Sequence, residues 1–145
     1  MSPAITADRL GAWLLKATPA GLRADGHADR LEGITSRCVR PSYRTGLVRP
    51  GQPVLLWVSG RDPQLPRGIH AAGRTTGEVD VDRDGSVSVP VALHEVSPPV
   101  LADGLLAHPV LRAIEVLTMP AGSNPSFLDV EQYAALVDAH PQLSR

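Results

Sequence analysis

Glycine and proline punctuate this chain more tightly than any other feature, and they limit what it can fold into. Together they supply 27 of the 145 residues (13 Gly and 14 Pro), well above a background of roughly 12%. Breakers at this density leave room for short strands and single helical turns but not for a long helical bundle. A chain of 15.4 kDa fits one domain with its own core. No internal repeat or linker divides it, so residues 1–145 read as one domain. Residues 1–10 read as a flexible or helical N-terminal extension.

The apolar runs between the breakers place about six strands. Ala12 to Ala17 is short and apolar and ends at Thr18-Pro19, the pattern of a mostly buried strand. Arg37 to Arg40 is a short strand before Pro41, and Ser42 caps one helical turn through Leu47. Val54 to Gly60 is the clearest strand; its unbroken apolar run requires cover on both faces. Ile69 to Val81 is a strand interrupted at Gly73 and Gly77. Asp82-Arg83-Asp84-Gly85 is a hairpin turn, and Ser86 to His94 alternates as a half-buried strand. Ser97-Pro98-Pro99 ends it, and a short helix follows through Leu105 and Leu106. Ile114 to Leu117 is the sixth strand, and Met119 to Pro125 a loop. Asp129 caps a helix over Val130 to Ala139. Adjacent strands outnumbering helices give an α+β domain built on a strongly bent or closed sheet.

Cys38 is the single cysteine. It excludes an internal disulfide and a cysteine-based zinc site, and it suits a reducing compartment. No run approaches the roughly 20 apolar residues of a membrane span. Met1 to Leu10 carries Asp8 and Arg9 and lacks the pattern of a secretory leader. Thirteen Arg against one Lys, with 17 Ala, is the product of GC-rich codons; a bacterial, cytoplasmic protein is expected.

The net charge of −1 conceals a division along the chain. Residues 37–74 hold seven Arg against Asp62, a net of +6. Residues 75–145 hold three Arg against ten acids, a net of −7. Such asymmetry marks either an anion-binding surface or two segments that neutralise each other across the fold. Tyr43 and Trp57 lie inside the basic segment, and Arg with interleaved aromatics is the combination that holds single-stranded nucleic acid.

Other chemistries find little support. The five histidines lack metal-ligand spacing, and no phosphate loop is present. Asp80, Asp82 and Asp84 lack the distant Glu of an EF-hand and read as a solvated hairpin tip. Ser59 with His70 would form a hydrolytic pair only within hydrogen-bonding reach, and no acid partner can be named. No catalytic residue, metal or cofactor is expected.

Several segments together resemble the EVE domains of the PUA-like superfamily, relatives of YTH domains. They are Ala12-Trp13-Leu14-Leu15-Lys16-Ala17-Thr18-Pro19, Val39-Arg40-Pro41-Ser42-Tyr43-Arg44, Val48 to Gly60 with its Pro50-Gly51 turn and aromatic-x-Ser ending, Gly68 to Gly73, and Asn124 to Tyr133. The resemblance implies a small bent β-barrel flanked by helices that takes a modified base into an aromatic-lined pocket beside a basic groove. Carried over, Trp57 and Ser59 line that pocket, Tyr43 and Arg44 shape its entrance, and Arg40, Arg44 and Arg49 meet phosphates. Trp13 belongs to core or pocket, and Asn124 is a polar contact from the closing loop. Many family members place a Trp just before the Val-Arg-Asn-Tyr segment. Here Thr35-Ser36-Arg37-Cys38 has none, so Arg37 would have to supply the missing wall by guanidinium stacking.

The expected function is therefore a non-enzymatic module that binds DNA or RNA carrying a modified base. The alternative is a small-molecule or protein-binding domain on the same barrel, with its arginines satisfied by acids.

Overall fold

The computed structural model describes residues 4–144. Among them the sheet has seven strands: β1 (Leu10–Ala17), β2 (Ser36–Val39), β3 (Pro53–Val58), β4 (Gly68–Thr75), β5 (Asp80–Val81), β6 (Val87–Leu101) and β7 (Ser126–Asp129). Four short helices accompany them: α1 (Pro19–Ala24), α2 (Ala102–Leu106), α3 (Glu115–Thr118) and α4 (Val130–Ala139). Strand order is β2-β6-β4-β3-β1-β7, with β5 also paired to β6. Only β1 and β3 run parallel; every other pair is antiparallel. The sheet curls until β2 approaches the loop before β7, where the Arg40 amide donates to the Asn124 carbonyl at 2.7 Å. The expected α+β fold with a strongly bent mixed sheet is observed.

Both faces of the sheet are covered, which explains the unbroken apolar runs of β1 and β3. Trp13, Leu15, Val54, Leu56 and Val58 join Val87, Val89 and Val91 inside the curl. Ala12, Leu14, Leu55 and Trp57 face outward, under Leu105, Leu111, Val116 and Leu136 of the helical side.

Three local expectations need correction. Ile114 to Leu117 is not a strand: Glu115–Thr118 form α3, because a short apolar run has no period that separates a strand from a buried turn. The seventh strand, β7, was hidden in four residues with only Phe127 and Leu128 apolar. Ser97-Pro98-Pro99 does not end β6, whose pairing resumes at Val100↔Ile69 and Leu101↔Gly68 after a register shift. The prolines sit in that irregular stretch, where no ladder hydrogen bond is lost.

The N-terminal extension is also not helical over the described residues. Thr6–Arg9 form a turn, and Ile5 is buried against the core with its amide donating to the Tyr43 hydroxyl at 3.0 Å. Residues 1–3 of that expectation lie outside the described residues. No helix among the described residues is long and apolar enough to cross a membrane.

Gly73 shows how closely β4 and β6 approach. A Cβ there would stand 1.9 Å from the Ala92 carbonyl oxygen, inside any allowed contact. Gly73→Ala is expected to destabilise the fold by about 1–3 kcal/mol, as overpacking of a tight region does, read as a lower urea midpoint.

Candidate nucleic-acid interface

The side of the curl between β1 and β2 is bridged by side chains instead of a strand ladder. Arg37 of β2 reaches across, its Nη2 donating to the Lys16 carbonyl at 3.1 Å and its Nη1 lying 3.8 Å from Asp25. Its Nε is buried with no hydrogen-bond partner among the described residues. Asn124 spans the same gap: its Oδ1 accepts from the Lys16 amide at 3.3 Å and its Nδ2 donates to the Cys38 carbonyl at 3.5 Å. Ser59 joins at the end of β3, where its amide and hydroxyl both donate to the Ala17 carbonyl. Arg37, Arg40, Asn124 and Ser59 thus gather along one seam, with Arg40 exposed and without an ion pair among the described residues.

Lys16 is the residue that the sequence reading missed. Its Nζ donates to the carbonyls of Pro120 and Gly122, both at 3.2 Å, and so fixes the loop that carries Asn124. Partial burial is the main cause that pulls this ammonium below its ordinary value; Glu115 opposes the shift and Arg44 adds to it. The available signal was its singularity, one lysine in an arginine-rich chain, at the end of a buried strand.

Arg44 is not a phosphate contact at the entrance. Its side chain is almost wholly buried, at 2% exposure, and it makes a two-pronged pair with Glu115 (Nη1–Oε1 2.7 Å, Nη2–Oε2 2.8 Å). Its Nη1 also donates to the Pro125 carbonyl at 3.0 Å, and its Cζ lies 4.9 Å from the Phe127 ring centre. Glu115 accepts from the Ser126 hydroxyl at 2.7 Å. This network locks the chain just after Asn124. Glu115 could have been suspected from sequence as the one charge inside an apolar run.

Tyr43 is 56% exposed, three residues beyond Arg40 in the chain, and its hydroxyl accepts from the Ile5 amide at 3.0 Å. Arg49 pairs with Glu78 at 3.5 Å and donates to the carbonyls of Gly46 and Val48. It remains at the surface but on the turn beyond the seam. The two tryptophans cannot share a pocket. Trp13 is buried inside the curl, its indole N–H donating to Gln52 Oε1 at 2.7 Å. Trp57 is buried on the opposite face, covered by the helices, with the Arg67 guanidinium 5.6 Å from its ring. Parallel pairing sets Lys16 against Trp57 and Trp13 against Val54, which puts the two indoles on opposite faces.

Ser59 and His70 are bound to separate carbonyls, of Ala17 and Pro66, and not to each other. Among the described residues no group of His, Cys, Asp and Glu is placed to hold a metal ion.

No protein-family model and no curated protein sequence matches the chain. Solved structures do. Rpa0253 from Rhodopseudomonas palustris is similar at a TM-score of 0.69 and 17% identity, over 94% of this chain and 97% of its own. Atu2648 from Agrobacterium tumefaciens has a TM-score of 0.69 at 13% identity, over 92% and 95%. Human THYN1, in complex with DNA containing 5-methylcytosine, has a TM-score of 0.60 at 13% identity, over 89% and 96%. This likeness, across nearly the whole of each chain, makes the fold PUA-like.

Proposed function

We propose that this chain is a non-enzymatic, EVE-type module that binds nucleic acid along the β1–β2 seam and reads a base there, a modified one being the favoured class. The observation that carries the reading is the meeting of Arg37, Arg40 and Asn124 along the one side of a PUA-like curl that lacks a strand ladder. The buried Arg37 Nε without a partner supports it, since an unmet donor is costly and asks for an acceptor. THYN1, of the same fold, was solved with 5-methylcytosine DNA. In this reading Arg40 meets phosphate. Any stacking surface comes from the exposed Tyr43 ring and the Arg37 plane, not from a pair of tryptophans. The test is titration of fluorescent DNA and RNA oligonucleotides, with and without 5-methylcytosine, at several salt concentrations. Affinity should fall steeply with salt; absence of binding at low salt for every oligonucleotide would sink the proposal.

Arg40→Ala should weaken all sequences about equally and reduce the salt slope by about 1, as loss of one phosphate contact does. A slope unchanged by the substitution would remove Arg40 from the interface.

A second reading draws on the ion pairs. Three of the seven arginines in the basic segment meet acids: Arg37 with Asp25, Arg44 with Glu115 and Arg49 with Glu78. A protein- or small-molecule-binding domain would use its charge in this internal way, and its binding would be insensitive to salt.

A further inference from the structure

On the outer face of the sheet, away from the seam, a small cavity of about 150 Å³ opens between β4, β6, α4 and the chain end after it. Arg74, His94, Tyr133 and Ser144 line it together with Gly73 and Leu143. Ala72 pairs with His94 and Arg74 with Ala92. Arg74 and His94 are therefore diagonal neighbours on one face, a relation that puts side chains roughly 7–8 Å apart at their bases. That spacing suits two groups gripping opposite sides of one small ligand.

Three observations give the ligand its chemistry. The Nε2 atom of His94 is buried and has no hydrogen-bond partner among the described residues, and His94 is one of the residues around this cavity. Arg74 gives one Nη1 hydrogen to the Gly51 carbonyl at 3.0 Å, and its guanidinium keeps further N–H donors free. Tyr133 and Ser144 add hydroxyl donors, and no carboxylate is among the described residues that line the cavity. A lining with an arginine and two hydroxyl-bearing side chains, and without an acid among its described residues, favours an oxyanion. We propose that this cavity is a second binding site, independent of the seam, for a phosphate-class oxyanion, held by the Arg74 guanidinium with the His94 ring beside it.

The experiment is a titration of inorganic phosphate into isotope-labelled protein at constant ionic strength, with chloride as the control and the His94 ring resonances as the readout. Those resonances should move to saturation with phosphate and stay in place with chloride. Arg74→Gln, a change on the surface, should weaken the effect about tenfold, the equivalent of one charge-assisted hydrogen bond, at an unchanged unfolding midpoint. In His94→Gln the Tyr133 ring signals serve as reporter, and the same loss is expected. Phosphate that moves the His94 ring no more than chloride does, or equally in wild type and Arg74→Gln, overturns the proposal. A dinucleotide with and without a 5′-phosphate separates the sources. If the phosphorylated form alone competes with phosphate, the site takes a nucleotide-borne phosphate. If neither competes while phosphate still binds, it takes the free anion.

Discussion

Glu115→Ala should lower the unfolding free energy by about 3–5 kcal/mol, the range for removing one partner of a buried ion pair. The substitution leaves the Arg44 guanidinium at 2% exposure with its carboxylate gone. It also strands the Ser126 hydroxyl, which is fully buried and donates to the same acid. The loss is the cost of an uncompensated charge more than the worth of the pair itself. The double replacement Arg44→Met with Glu115→Leu should therefore recover most of it. Urea unfolding of wild type, the single variant and the double variant decides this. A single variant within about 1 kcal/mol of wild type would mean that the pair is solvated.

The same network predicts a pH dependence with a definite sign. Burial works to raise the Glu115 carboxyl, but hydrogen bonds from Arg44 and Ser126 outweigh it and hold the group below the ordinary glutamate value of 4.5. A carboxyl depressed in the folded state contributes stability that is complete above that value. The contribution is lost as pH falls through the lower, folded one. Stability of the wild type should thus decline in acid below about 4.5 more steeply than that of the double variant, which carries no group at this position to titrate.

Arg44 also shows where the sequence stops being legible. It lies four residues after Arg40, in the same basic stretch and beside the exposed Tyr43, and nothing local distinguishes the two arginines. The difference is made by an acid 71 positions later in the chain, and only the fold brings that acid home. Elements with strong local signals were readable: the Ser42 cap whose hydroxyl accepts from the Arg44 amide, the Asp129 cap of α4, and the two-sided burial of β3. The bent sheet followed from these and from the breaker density. Register was not readable. Whether Trp13 and Trp57 share a face depends on which residue of β1 stands opposite which residue of β3, and a shift of one residue reverses the answer. The charge map had the same limit. The +6 segment was real as a count, yet Arg37, Arg44 and Arg49 meet acids, while Arg40 and Arg61 stay exposed with no ion pair among the described residues.

Trp57→Ala is the variant on which the sequence reading and the structure disagree most sharply. Trp57 as a pocket wall would lose base preference on truncation and keep its stability. Trp57 as observed, 1% exposed among Ile69, Leu105 and Leu111, should cost about 3–5 kcal/mol, as large-to-small aromatic changes in a core do. The indole leaves a void beneath the helices, and the rigid sheet below cannot collapse into it. Arg67, which lies over the ring, would lose its platform as well. Trp57→Phe should restore much of the stability by refilling the space. Urea unfolding, followed by oligonucleotide titration under conditions where each variant remains folded, separates the two roles. A stable Trp57→Ala protein that has lost only its base preference would place the indole in the binding site after all. A destabilised one whose folded fraction still binds with wild-type preference assigns Trp57 to the core and leaves recognition to the seam of Arg37, Arg40 and Asn124.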